Sequence, residues 1–117
     1  MSMILFVLHD AEKLRDVLDA WEEAGISGAT VLFSTGIGRI RESQALRDDM
    51  PMLPSLQDFY PIPENLGRTL FTITDDESLV SKIVEATERV VGDLNEPDRG
   101  ILTVLPTNGI FGLRKPV

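Results

Sequence analysis

Three short neighbourhoods of arginine and glycine carry most of the chemistry this sequence offers. The first is Gly36-Ile37-Gly38-Arg39. Two glycines around one apolar residue let backbone N–H groups approach an anion with no side chain in the way. The arginine that follows presents a planar fork suited to phosphate or carboxylate. The same spacing also serves a bulge or turn where only glycine fits. Arg41 stands two residues on and can equally pair with Glu42 or Asp48. The second neighbourhood is Arg99-Gly100 and the third is Gly112-Leu113-Arg114. Arg99 and Arg114 can each neutralise an anionic ligand or lie solvated at the surface.

The remaining polar clusters point away from catalysis. The chain has no cysteine, which excludes disulfides, thiolate metal sites and cysteine nucleophiles. Its single histidine, His9, cannot hold a transition metal without carboxylate help, and no H-x-x-x-H spacing exists. Asp75, Asp76 and Glu77 sit where a helix should start, and capping with the helix dipole explains them. A carboxylate pair for acid–base work is the other reading, but no nucleophile or oxyanion hole is evident beside it. The expectation is a protein without catalytic or metal-ligating residues. A formal net charge of -8 argues against nucleic acid, whose binding needs clustered Lys and Arg.

Elements to position these residues follow from periodicity. Met3 to Leu8 is an unbroken apolar run, too short for a membrane span or a signal peptide. It reads as a strand buried on both faces and central in its sheet. Asp10 should cap a helix carrying Leu14, Val17, Leu18 and Trp21 on one side, ended by Gly25. A second strand is expected at about Ala29 to Ser34. A third starts near Arg68, through Leu70, Phe71 and Ile73. A second helix carries Leu79, Val80, Ile83, Val84, Thr87, Val90 and Val91 as an amphipathic stripe, stopped by Gly92. Ile101 to Leu105 is a fourth strand ended by Pro106. Asn108-Gly109 is a turn signal, and Ile110 to Leu113 forms one more short strand.

With 117 residues the chain is one domain, long enough to bury roughly two-thirds of its unfolded surface. Between the second and third strands, residues 36–67 show no sustained period and hold four of the seven prolines. A segment that long inside a compact domain is usually functional or disordered. Its Leu53, Leu56, Phe59, Tyr60 and Ile62 suit a partner-docking surface, or folding back onto the body. The order β-α-β, long loop, β-α-β is the α+β, ferredoxin-like βαββαβ plan: a four-stranded antiparallel sheet with two helices on one face. The other face then lacks cover, so an oligomer is expected.

Three features together are more specific than the fold. Gly28-Ala29-Thr30-Val31 runs into Gly36-Ile37-Gly38-Arg39; a long loop sits between strands two and three; and Gly100-Ile101-Leu102-Thr103-Val104-Leu105-Pro106 follows a loop at 92–100. In this arrangement the chain resembles the P-II nitrogen-regulatory proteins over nearly its full length. The resemblance implies a cytoplasmic homotrimer that senses an adenine nucleotide or related small anion at subunit clefts. It would regulate a partner, a transporter or a metabolic enzyme, through its long loop. Residues 36–67 would be the T-loop-like segment and 92–100 the B-loop-like one. Thr30 would contact the adenine, with Gly36, Ile37, Gly38, Arg39, Arg99, Gly100 and Arg114 around the ligand. Phe59 and Tyr60 would belong to the docking loop.

The chain departs from that family at informative positions. The lysine after the last loop glycine is Ile101, with Arg99 able to supply the charge from the other side. Asp93, Glu96 and Asp98 would repel a phosphate. Of two basic positions near the C-terminus, the first is Gly112 and the second Arg114. A glutamine that helps hold metal–triphosphate in the family is Ile40. ATP, ADP or AMP is the expected effector, with Mg-ATP disfavoured and no tightly bound cofactor. Two other functions share the fold: a CutA-like metal-binding trimer and a small dimeric ferredoxin-like enzyme.

Overall fold

The structure, a computed structural model, describes residues 1–36 and 67–113. Strand β1 (Ser2–Leu8) leads through a 3₁₀ turn (Ala11–Lys13) into helix α1 (Leu14–Glu23), then β2 (Thr30–Ser34). Strand β3 (Gly67–Thr74), helix α2 (Ser78–Val91) and β4 (Ile101–Pro106) follow. The strands form one antiparallel sheet in the order β2-β3-β1-β4. Among the described residues the fold is thus mixed α+β, with a four-stranded antiparallel sheet and two helices, consistent with a ferredoxin-like class.

Local chemistry sets the helix ends. The Asp10 carboxylate accepts the Glu12 N–H at 3.1 Å and opens the turn into α1. At the other end Gly25 adopts φ +112°. Its N–H donates to the Glu22 carbonyl at 3.0 Å, and the Ile26 N–H to that of Trp21 at 3.1 Å. That pair of bonds is a Schellman cap, which needs the left-handed residue glycine supplies. Asp76 starts α2, accepting both the N–H (3.0 Å) and the hydroxyl (2.6 Å) of Ser78. Gly92, at φ +91°, ends it.

The core lies between the helices and one face of the sheet. Ile4, Phe6 and Leu8 of β1 and Leu70 of β3 are fully buried with Val17 and Trp21 of α1 and Ile83, Ala86 and Val91 of α2. The Trp21 indole N–H donates to the Thr87 hydroxyl at 2.8 Å, and that hydroxyl donates to the Ile83 carbonyl at 2.7 Å. Thr87 therefore does more than offer a methyl to the stripe: it satisfies the one polar atom of the core's largest side chain.

Two expectations are corrected. β1 is central, paired on both sides, but it is buried on one face only. Its alternating pattern leaves Met3, Leu5 and Val7 half-buried, because nothing among the described residues covers the second face. No strand forms over 107–113 either. The segment's last backbone bond toward the sheet is from the Thr107 N–H to the Met1 carbonyl at 3.1 Å. Beyond it Phe111 is 97% exposed and Gly112 takes φ +84°, so among the described residues Ile110 to Leu113 pairs with no strand.

Candidate functional site

The sheet register places the candidate residues. Ile101, Val7, Thr69 and Leu32 form one row across the four strands, and Thr103, Leu5, Phe71 and Thr30 form another. Thr30 is exposed and shares the uncovered face with Leu32. Gly36, just past β2, and Gly100, just before β4, stand at the same end of the sheet. They occupy opposite edges, with β1 and β3 between them. Three strand spacings amount to roughly 14 Å. A single chain therefore does not bring Gly36 together with Arg99 and Gly100, and Thr30 stands apart from Gly36 as well, six residues back along β2. Ile37, Gly38, Arg39, Phe59, Tyr60 and Arg114 lie outside the described residues, as do Ile40 and Arg41.

The two described glycines of the site differ. At Gly36 an added Cβ would meet nothing within 4 Å. At Gly100, φ is +119° and a Cβ would stand 2.6 Å from the Val7 carbonyl oxygen and 2.7 Å from the Phe6 ring. Packing against β1 alone demands glycine at 100.

Arg99 is engaged within its own loop. Its Nη1 donates to the Val91 carbonyl at 3.3 Å, at the negative end of α2. Nη2 lies 3.6 Å from the Glu96 carboxylate. The guanidinium also covers Gly92, whose added Cβ would sit 3.5 Å from it. Glu88, one turn before the end of α2, accepts the Leu94 N–H at 3.0 Å. Sequence reasoning missed Glu88. The available signal was a carboxylate four residues ahead of the terminating glycine, within reach of a chain that turns back.

Three further groups complete the surface. Arg68 stacks on the Phe33 ring, 4.4 Å from its centroid, beside the end of β2. The acidic cluster at the start of α2 is structural. Hydrogen bonds from the Ser78 hydroxyl and N–H hold the Asp76 carboxyl below its ordinary pKa. Bonds from the N-terminal ammonium and then the Ser2 hydroxyl do the same for Glu77. Among the described residues no group of three or more His, Asp or Glu comes together as a metal site would require, and no helix is long and apolar enough to cross a membrane.

The uncovered face is the largest feature. Leu32 is 51% and Ile101 62% exposed in the Val7 row, and Ile73 and Leu105 are exposed in the Met3 row, with the Leu5 row between. Each sits at or beside an edge of the sheet, flanking the half-buried Met3, Leu5 and Val7. Comparison with known families finds no family model that matches this chain, and no curated protein matches it either.

Proposed function

We propose that this protein is a P-II-like trimeric signal-transduction protein with the βαββαβ plan. It senses an adenine nucleotide or related small anionic ligand at clefts between subunits. It regulates a partner, a transporter or a metabolic enzyme, through segment 36–67. The setting is cytoplasmic, the role is in nitrogen regulation, and no catalysis is involved. The observation that carries the reading is the uncovered apolar face of the sheet. Burying side chains such as Leu32 and Ile101 against copies of the same chain gains about 25 cal/mol per Å² of apolar surface. The spread of the candidate residues supports the same reading. Gly36 at one edge and Gly100 at the other are separated within one chain, and adjoining copies would bring the two edges together around one small ligand.

Light scattering on the purified protein tests the assembly, and calorimetry against ATP, ADP, AMP and cyclic nucleotides, with and without Mg²⁺, tests the sensing. Three times the chain mass with saturable binding of a nucleotide is expected. A monomer overturns the reading. A dimer favours the small ferredoxin-like enzyme, and saturable heat with soft metal ions favours the metal-binding trimer. Arg39→Ala should weaken the bound nucleotide about tenfold or more while leaving the trimer intact.

A further inference from the structure

The loop from α2 to β4 has the ingredients of an anion-binding turn, namely successive backbone N–H groups, glycines at both ends and an arginine. It uses them on itself. The N–H groups of Leu94, Asn95 and Glu96 donate to Glu88 Oε2 (3.0 Å), Asp93 Oδ1 (2.9 Å) and the Asp93 carbonyl (3.0 Å). Arg99 bonds the Val91 carbonyl and pairs with Glu96, and of its donors the buried Nε is left without a hydrogen-bond partner, so the self-engagement of the loop rests on its N–H groups. Residues 92–100 carry three carboxylates (Asp93, Glu96, Asp98) against one arginine, a formal -2. The fixed approach of Gly100 to Val7 and Phe6 ties the loop's end to β1 and limits how far it can open. A polyphosphate arriving here would have to displace two carboxylates from their N–H donors and then remain beside them.

We propose that Glu88 and Asp93 fill this loop's anion-binding capacity from within. The cleft beside the loop therefore rejects di- and triphosphates and accepts only a ligand whose end facing the loop is uncharged. This deepens the sensor reading and rests on it for the identity of the cleft, while the loop's refusal of phosphate stands on its own hydrogen bonds. The test is an amide NMR titration of the full chain with inorganic pyrophosphate. In the wild type, the Leu94, Asn95 and Glu96 signals should not move up to millimolar concentration. In Glu88→Ala/Asp93→Ala, which removes both carboxylate acceptors and leaves the Asp93 carbonyl, the Leu94 and Asn95 signals should shift saturably, with affinity raised about tenfold or more. Glu96→Gln, a milder change that releases Arg99, should give a smaller gain in the same direction. Saturable movement of these signals in the wild type overturns the proposal, and so does a double variant that binds pyrophosphate no better. Failure of the sensor reading is seen separately: a monomer by light scattering, or no heat with any adenine nucleotide or with adenosine, leaves the pyrophosphate result standing.

Discussion

The two faces of the sheet are made from the same kinds of residue and have opposite fates. On the helix side, Ile4, Phe6, Leu8 and Leu70 vanish from solvent beneath Trp21, Ile83 and Ala86. On the other, Met3, Leu5 and Val7 alternate with the β1 residues of that set yet stay half-buried, Val7 in the row of exposed Ile101 and Leu32 and Met3 in the row of Ile73 and Leu105. The difference is not in hydrophobicity. The covered face has a polar keystone, the Trp21–Thr87–Ile83 chain of hydrogen bonds, and a glycine cut to fit β1. The other face has mixed rows of apolar residues and threonines, and no such partner among the described residues. A strand can therefore be well packed on one side and stay half-buried on the other.

The sharpest way to break the comparison is to strike the covered face. Trp21→Ala should cost about 3–5 kcal/mol in denaturant unfolding, from lost burial and the cavity left behind. Gly100→Ala should cost about 2 kcal/mol or more, since the methyl would overlap the Val7 carbonyl in a backbone conformation alanine rarely adopts. Thr87→Val keeps the shape but orphans the indole N–H, and a loss of about 1–3 kcal/mol is expected. On the uncovered face, Leu32→Lys with Ile101→Lys should leave the chain's own folding within about 0.5 kcal/mol per site. Light scattering should nevertheless show the assembly falling apart. If that double variant stays associated, the uncovered face is not the interface. The smallest effect is electrostatic. Asp76 has a depressed pKa, so its contribution is full above the ordinary carboxylate range and is lost as pH falls through the depressed value. Asp76→Asn keeps the Ser78 cap and should flatten that part of the acid limb in a pH series of melting temperatures.

Much of this architecture was legible because it is written in local terms. Asp10, Gly25 and Gly92 mark helix ends through cap geometry that depends on a few neighbouring residues, and each does so here. The stripe from Leu79 to Val91 needs only a 3.6-residue period. What resisted reading depends on contacts distant in sequence. Ile110 to Leu113 has the composition of a strand, but a strand needs a ladder, and no composition supplies one. The run Met3–Leu8 carries apolar residues for two faces, and sequence alone cannot say that only one of them is covered by the described residues. Within the candidate site, Gly100 reads from the sequence as a ligand glycine, while its backbone conformation and its approach to Val7 are enough to require it. Arg99 reads as a charge for an anion, but its Nη1 bonds the Val91 carbonyl at the end of α2. Thr30 and Gly36 stand exposed on and just past the edge strand β2, where exposure follows from edge position alone.

The buried indole has a practical consequence. Trp21 is the chain's single tryptophan, and its single tyrosine, Tyr60, belongs to segment 36–67. The emission of Trp21, shielded from water and bonded to Thr87, should be blue-shifted and should turn red only when the helices part from the sheet. Dissociation of subunits through the opposite face would leave that colour unchanged. A dilution series followed by fluorescence and by light scattering thus separates coming apart from coming undone, without a label on the protein.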